Sequence, residues 1–117
     1  MEFDSIIPYL IPAAVVLFFV FRFLRFKKIR TSLAPLMEAG AVVVDVRNPG
    51  EFASGARPGS LNIPLSEIAA RSSALDKTRT IIVCCASGTR SGMAAGILKS
   101  QGFQNVINAG PWTNTLA

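Results

Sequence analysis

The chain has 117 residues, a formal net charge of +5, no histidine, two cysteines and 50% apolar residues. This length allows one small domain, since about 100–200 residues are usual per domain. The lack of histidine excludes a Ser-His-Asp triad, a Cys-His dyad and imidazole-ligated zinc or haem, so a nucleophile must be activated in another way.

The basic residues are concentrated in the N-terminal part. Residues 1–30 carry five basic and two acidic residues, whereas residues 31–117 carry seven basic and five acidic ones. No basic stripe interleaved with aromatic residues follows, so nucleic-acid binding is not expected. The two cysteines are neighbours and cannot supply the paired ligand sets of a zinc site, nor an unstrained disulfide. We therefore expect reduced thiols, no metal and no cofactor.

The segment Ile6–Leu24 is apolar except for Arg22. As a helix it measures about 28 Å, close to the thickness of about 30 Å of a bilayer's hydrocarbon core. This predicts one transmembrane helix within an anchor formed by residues 1–30. The alternatives are a cleaved signal peptide and a buried core helix. A signal peptide should begin with basic residues, but this chain begins with Glu2 and Asp4.

The flank after the apolar segment predicts the orientation of the anchor. Five basic residues lie between Arg22 and Arg30, whereas no basic residue precedes Ile6. The positive-inside rule then predicts residues 1–5 outside and a folded domain of residues 31–117 in the cytoplasm. Residues 25–35 are expected to form a short basic stretch that leads into a helix around Pro35–Ala39, ended by Gly40.

The remaining sequence alternates strands and helices. The run Ala41–Val46 lacks polar alternation, which is typical of a strand buried on both faces in a parallel sheet. Strands alternating with helices predict a small α/β domain around a parallel sheet. The expected elements are a strand at 41–46, a helix at 51–54, a strand at 60–63, a helix at 65–75, a strand at 80–85, a helix at 91–100, a strand at 105–107 and an irregular tail at 108–117.

Cys85 is the candidate nucleophile, because it ends a buried strand and precedes a tight loop and a helix start. Open α/β sheets place their ligands at this position. The loop N–H groups and the helix dipole stabilise a thiolate there. Gly88 lets the backbone turn inward, and Arg90 adds a cation that can hold an oxyanion. Cys84 belongs to the strand and is expected to fill the core, its further role being open.

Four segments resemble the rhodanese family, in family order. Residues 85–91, Cys85-Ala86-Ser87-Gly88-Thr89-Arg90-Ser91, resemble its active-site loop C-x-x-G-x-R-S. Residues 45–52 are similar to its D-V-R-x-x-x-E-[FY] segment and residues 55–64 to its G-H-I-P-G-A-x-N-[IV]-P segment. Residues 108–112 resemble its G-G-x-x-x-W ending. Together the segments cover nearly all of residues 33–112.

The resemblance implies a small three-layer rhodanese-like domain with sulfurtransferase activity. Cys85 would take a sulfane sulfur from a donor such as thiosulfate as a persulfide and pass it to cyanide or a thiol. The residues that would bind the anionic sulfur are Ala86, Ser87, Gly88, Thr89, Arg90 and Ser91. The residues expected to support the fold are Asp45, Arg47 and Glu51. The physiological donor and acceptor, the oligomeric state and the protein partner are not predicted.

The sequence also departs from the family pattern. Ala56 and Arg57 stand where the family usually has His and an aliphatic residue, Ala86 stands where a basic residue is common, and the tail after the ending is short. These changes alter the surroundings of the expected site.

Two other functions fit parts of the sequence. A phosphatase or arsenate reductase matches C-x5-R-S counted from Cys84, but its loop requires His before the nucleophile and Gly three residues after it. Val83 and Ser87 occupy those positions. A non-catalytic binding module is the other alternative, although such modules commonly lose the cysteine that this chain retains as Cys85.

Overall fold

The structure, a computed structural model, describes residues 3–116. Met1 and Glu2 of the expected outer segment, and Ala117 of the expected domain, lie outside the described residues. The main elements are α1 (Ile7–Glu38), β1 (Val42–Asp45), α2 (Pro49–Ala53), β2 (Leu61–Asn62), α3 (Leu65–Arg71), β3 (Ile81–Cys85), α4 (Thr89–Ser100) and β4 (Val106–Pro111). Short 3-10 helices occur at Phe3–Ser5, Ser72–Ala74 and Trp112–Leu116.

The four strands form one parallel sheet in the order β2-β1-β3-β4. Val44 and Val83 are register partners in the central pair of strands, and both side chains are fully buried. The β-branched runs lie at the centre of the sheet, where helices cover both faces and apolar side chains are favoured on every position. The predicted α/β class and parallel sheet are confirmed.

Side chains alternate between the two faces of the sheet, so successive residues of a strand pack in two different hydrophobic cores, one on each face. On one face Val83 and Cys85 pack with Ile68 of α3 and Leu98 of α4. On the other face Ile82 and Cys84 pack with Leu33 of α1. The domain therefore has three layers, with α1 on one side and α3 and α4 on the other. Cys84 and Cys85 belong to opposite sides of the sheet.

Helix α1 runs without interruption from the apolar segment into the domain. The expectation of a separate helix around Pro35–Ala39 after a basic stretch is wrong. Ile29, Leu33 and Leu36 pack against the sheet. Burial of this face stabilises the helix through the predicted basic stretch. Gly40 ends the helix with a φ of +101°, as predicted.

The apolar part of α1 lies outside both cores. Its 18-residue apolar window has a mean hydropathy of 2.2 and no share of it is buried, so α1 is long and apolar enough to cross a membrane. The described residues extend over 60 × 30 × 27 Å because this half of α1 projects from the domain. The expected division of the chain at residue 30 falls inside this continuous helix.

The tail was expected to be irregular from residue 108 onward, and this expectation is wrong. Strand β4 continues to Pro111, because residues 110 and 111 pair with Cys84 and Cys85 across a register shift in the sheet. A 3-10 helix follows, in which the Asn114 side chain donates a 2.8 Å hydrogen bond to the carbonyl of Ala109. The C-terminal residues are thus fixed against the end of the sheet.

Candidate active site

The Cys85 loop, residues 85–91, connects β3 to α4. The N–H of Gly88 donates a 2.9 Å hydrogen bond to Cys85 Sγ, and Ser91 Oγ lies 3.4 Å from the same atom. Gly88 has a φ of +103°, and a Cβ there would lie 3.1 Å from Gly110 Cα. Only glycine fits this turn without strain. The loop therefore bends back so that its N–H groups face the sulfur.

These contacts favour the thiolate of Cys85. Burial raises the pKa of this thiol, but hydrogen bonds from the Ser91 hydroxyl and from the backbone N–H groups of Ser91, Gly88 and Ser87 lower it, and the net pKa is below the ordinary value. Burial, together with the negative charge of Asp45, raises the pKa of Cys84 to about 12. The thiolate is therefore favoured at Cys85 and disfavoured at Cys84.

Asn108 connects the sulfur to the neighbouring strand β4. Its Oδ1 accepts a 2.7 Å hydrogen bond from Ser91 Oγ and a 2.9 Å hydrogen bond from the N–H of Gly110. Its Nδ2 donates to the carbonyl of Gly88 at 3.1 Å. Asn108 thus positions both the Ser91 oxygen and the turn of the Cys85 loop. Sequence reasoning missed it as a site residue, although a polar residue in a strand beside β3 was a usable signal.

Arg90 and Glu51 form a bidentate ion pair. Arg90 Nη1 lies 2.6 Å from Glu51 Oε1, and Arg90 Nη2 lies 3.0 Å from Oε2. The hydrogen bond from Arg90, with one from the Asn48 N–H, lowers the pKa of Glu51 to about 2. The sequence assigned Arg90 to the anion and Glu51 to the fold, but the structure brings the two side chains together. The ion pair joins α2, which carries Glu51, to the start of α4, which carries Arg90.

Asp45 and Arg47 form a second, buried ion pair. Arg47 Nη2 lies 2.7 Å from Asp45 Oδ2 and also donates a 2.7 Å hydrogen bond to the carbonyl of Gly55. The hydrogen bond with Asp45 raises the pKa of Arg47 despite its burial. The guanidinium also lies over the Trp112 ring, 4.8 Å from its centroid. These contacts hold the segment that carries Glu51. The supporting role of Asp45 and Arg47 stays a prediction.

The other predicted loop residues differ in exposure. Ala86, Ser87 and Thr89 are exposed, Gly88 and Arg90 are half-buried, and Ser91 is buried. Cys85 is fully buried at 0% exposure, so a donor needs local movement of the covering groups to reach Sγ. Among residues 3–116 no cluster of three or more Cys, Asp or Glu side chains could hold a metal ion.

Two residues of helix α1, Arg22 and Phe26, contact the Cys85 loop directly. Arg22 Nη2 donates a 2.5 Å hydrogen bond to the carbonyl of Ser87. The Phe26 ring packs so closely on the loop and β4 that a Cβ on Gly110 would lie 2.6 Å from its Cε1. Arg22 also lies over the Phe26 ring, 5.3 Å from its centroid. Sequence reasoning assigned both residues to the anchor and its flank, and nothing in the sequence indicated these contacts.

The segment that departs from the family pattern touches the C-terminal residues. The Arg57 side chain donates a hydrogen bond to the carbonyl of Thr115. Ala56 is half-buried in the same loop. Arg57 therefore makes a polar contact with the tail.

Comparisons with known proteins agree with the resemblance. A family model described as a rhodanese-like domain matches residues 30–109. A sulfurtransferase of Allochromatium vinosum is 39% identical over 67 residues, which cover 57% of this chain and 63% of the relative. The thiosulfate sulfurtransferase GlpE of Stutzerimonas stutzeri is 39% identical over 84 residues, covering 71% of this chain and 77% of the relative. The chain spans only 40%, 63%, 54% and 66% of the lengths of four of its curated relatives.

Solved structures give the same result for the fold. The structure described as rhodanese with anions from E. coli is 36% identical with a TM-score of 0.61, and the match covers 64% of this chain and 91% of that one. The human single-domain sulfurtransferase TSTD1 is 27% identical with a TM-score of 0.65, covering 74% of this chain and 90% of that one.

Proposed function

The chain belongs to the rhodanese-like domain family and has its α/β fold, and on this premise we propose that Cys85 carries sulfane sulfur as a persulfide from a donor such as thiosulfate to cyanide or a thiol. Sulfur transfer in general is supported by the relatives, several of which are named as sulfurtransferases. The donor, the acceptor and the persulfide are the parts proposed here.

The observation that carries the proposal is the set of N–H groups turned toward Cys85 Sγ, with the Gly88 N–H at 2.9 Å. The Cys85 thiolate attacks the outer sulfur of thiosulfate and forms a new S–S bond. The S–S bond of the donor breaks, and sulfite leaves with its electron pair. The terminal persulfide sulfur is anionic, and N–H donors fixed in the loop stabilise such a charge without reorganising.

The second half of the cycle restores the thiolate. Cyanide attacks the terminal persulfide sulfur through its carbon, the S–S bond to Cys85 breaks, and thiocyanate leaves. A thiol acceptor takes the same sulfur as a persulfide of its own and gives its proton to the medium. Neither step needs a metal, an external oxidant or an external reductant. In each step the attacking nucleophile supplies the electron pair of the new bond to the transferred sulfur, and the breaking S–S bond gives its pair to the leaving group, so the electrons balance.

The phosphatase alternative requires Cys84 as the nucleophile, because only that count gives C-x5-R-S. Cys84 is buried on the α1 side of the sheet, and its pKa is raised to about 12. Cys85 lies on the other side, against the loop N–H groups. The positions of the two thiols therefore favour the spacing C-x-x-G-x-R-S, in which Cys85 is the nucleophile.

The same proposal includes a membrane anchor formed by residues 1–30, with Ile6–Leu24 across the bilayer and residues 31–117 in the cytoplasm. Because none of the apolar window is buried, the core-helix alternative has no support from packing. The basic flank supports the orientation by the positive-inside rule. A cytoplasmic site would keep Cys85 reduced between cycles.

The test measures thiocyanate formation from thiosulfate and cyanide with the full chain in detergent or vesicles. Cys85→Ser should abolish transfer, whereas Cys84→Ser, the matched neighbouring substitution, should keep a substantial fraction. Equal activity of Cys85→Ser and the parent would overturn the assignment. A folded parent with no transfer to either cyanide or thiols would favour the binding-module alternative.

A further inference from the structure

A cleft of about 220 Å³ lies between part of α1 and the Cys85 loop. Its α1 wall consists of three aromatic rings and two guanidinium groups, Phe18, Phe21, Phe26, Arg22 and Arg25. Its opposite wall consists of loop residues and one strand residue, Ser87, Gly88, Thr89 and Asn108. No acidic residue lines it. We call this space the junction cleft.

The junction cleft adjoins the groups that hold the nucleophile. Gly88 lines the cleft with its backbone and donates its N–H to Cys85 Sγ at 2.9 Å. Asn108 lines the cleft and accepts the hydrogen bond of Ser91, which contacts the same sulfur. A molecule in the cleft is thus separated from Cys85 by the loop, and sulfur transfer to Cys85 requires the loop to move.

The charge of the cleft favours an anion. The Arg22 guanidinium is bound to the Ser87 carbonyl and lies over Phe26. Arg25 differs, because no other side chain or carbonyl among residues 3–116 pairs with its guanidinium. A free guanidinium in a cleft without carboxylates attracts oxyanions, and its planar donors fit a sulfonyl or similar group.

The other end of the cleft is apolar. The Phe18 and Phe21 rings are 57% and 65% exposed, and both belong to the apolar segment proposed to cross the bilayer. Arg25 directly follows the end of that segment at Leu24. The cleft therefore leads from the hydrocarbon side to the headgroup side of the proposed membrane surface. An anion that carries a hydrocarbon chain matches both ends.

Resting on the proposed function, we propose that the junction cleft selects an amphiphilic sulfur donor of the thiosulfonate class, an alkyl group attached to the anionic group SO2–S⁻. Arg25 holds the anionic group, and Phe21 contacts the alkyl chain. The Cys85 thiolate attacks the terminal sulfur, the S–S bond of the donor breaks, and the alkane sulfinate leaves with the electron pair. Charge and oxidation state balance without another reactant.

The test uses the full chain in phospholipid vesicles and four donors, the sodium salts of methane-, ethane-, propane- and butane-thiosulfonate, with thiosulfate as reference. Each donor's KM for persulfide loading of Cys85 is measured by mass spectrometry in single-turnover reactions. The parent should show a KM that falls about two- to fourfold per added methylene, as expected when each methylene leaves water for an apolar wall.

Two substitutions with matched controls separate the cleft from the bilayer. Phe21→Ala should flatten the dependence on chain length, whereas Phe23→Ala should keep it, because Phe23 is equally exposed at 64% and does not line the cleft. Arg25→Gln should raise the KM of every thiosulfonate by about two- to fivefold, as for an exposed ion pair. Lys28→Gln, in the same basic flank but outside the cleft, should not.

These measurements distinguish failure of the cleft proposal from failure of the proposed function of Cys85. An identical chain-length dependence in Phe21→Ala, Phe23→Ala and the parent would show that donors only partition into the bilayer, with lipid covering the cleft, and would overturn the inference. Loading from thiosulfate with no effect of chain length would also overturn it and leave the proposed function intact. Failure of Cys85 to load from any donor would overturn both.

Discussion

Ser91 Oγ lies 3.4 Å from Cys85 Sγ while its hydrogen bond of 2.7 Å goes to Asn108 Oδ1. A hydroxyl has one proton. When Ser91 donates this proton to Asn108 Oδ1 in a hydrogen bond, the Ser91 oxygen can accept a hydrogen bond from the Cys85 S–H. When Cys85 is ionised, the hydroxyl can instead donate to the sulfur, and Asn108 Oδ1 keeps the N–H of Gly110. Rotation of one hydroxyl thus serves both protonation states of the nucleophile.

Ser91→Ala should raise the pKa of Cys85, because it removes a hydrogen bond that stabilises the thiolate. A hydrogen bond to a charged group contributes about 1.5–3 kcal/mol, which corresponds to about one to two pH units. The thiolate is the reactive form, so the rate of persulfide loading should rise with pH along a curve displaced to higher pH. The measurement is this pH profile, with the thiolate's ultraviolet absorbance as a second readout.

Ser87→Ala is the control for this prediction, since the Ser87 side chain is exposed and its contribution to Cys85 comes from the backbone N–H. A Ser91→Ala profile that coincides with the Ser87→Ala and parent profiles would mean that the Ser91 hydroxyl does not act on the sulfur.

Arg90→Ala and Glu51→Gln should change the KM for thiosulfate in opposite directions. Arg90→Ala removes a cation next to the Cys85 loop and should raise the KM about tenfold or more, the effect of losing a charge-assisted contact of about 1.5–3 kcal/mol. Glu51→Gln leaves Arg90 without its carboxylate partner and should lower the KM several-fold. Steady-state kinetics of both variants and of the double variant test this. A rise in both single variants would show that the pair only tethers α2 to α4.

Gly110→Ala should lower the thermal unfolding temperature. The residue has a φ of +77°, and a Cβ would lie 2.6 Å from the Phe26 ring of α1. Positive φ alone costs a non-glycine residue about 1 kcal/mol or more, and displacement of the ring adds to this. Adding Phe26→Ala to Gly110→Ala should remove the part of the destabilisation that comes from the steric clash with the ring.

Gly96→Ala is the control for the glycine prediction. Gly96 lies inside α4, and no atom lies within 4 Å of a Cβ there. Alanine is favoured over glycine in a helix by about 0.5–1 kcal/mol, so this variant should unfold at a higher temperature than the parent. Equal unfolding temperatures for Gly110→Ala and the parent would contradict the close packing of α1 on β4.

The orientation of the anchor can be tested with introduced cysteines, because both native cysteines are buried and react poorly with a membrane-impermeant reagent. In a background with both native cysteines replaced by serine, Asp4→Cys should be labelled on intact cells. Ser54→Cys, at an exposed position of the domain, should be labelled only after lysis. Labelling of Ser54→Cys in sealed cells would reverse the proposed topology.

The order of the elements, the parallel sheet and the position of Cys85 after a buried strand could be predicted from sequence, because each depends on neighbouring residues. Runs of β-branched residues predict buried strands, and a glycine-containing loop after such a strand predicts an anion cradle. Gly40 ended α1 as expected, for a similarly local reason.

The contacts that were missed connect residues far apart in the chain. Arg22 and Ser87, which are hydrogen-bonded, are separated by 65 positions, and Arg90 and Glu51 by 39. A local sequence pattern does not indicate which distant carboxylate a guanidinium group pairs with. The tail was misjudged because Gly110 and Pro111 suggest a break in a strand, whereas pairing with β3 keeps both residues in β4.

The most direct test of the central claim is mass spectrometry of the full chain after incubation with thiosulfate and removal of the excess donor. We expect one added sulfur on Cys85 in the parent and in Cys84→Ser, none in Cys85→Ser, and loss of that sulfur with formation of thiocyanate on addition of cyanide. A parent chain that gains no sulfur, or a Cys85→Ser variant that gains one on Cys84, would contradict it.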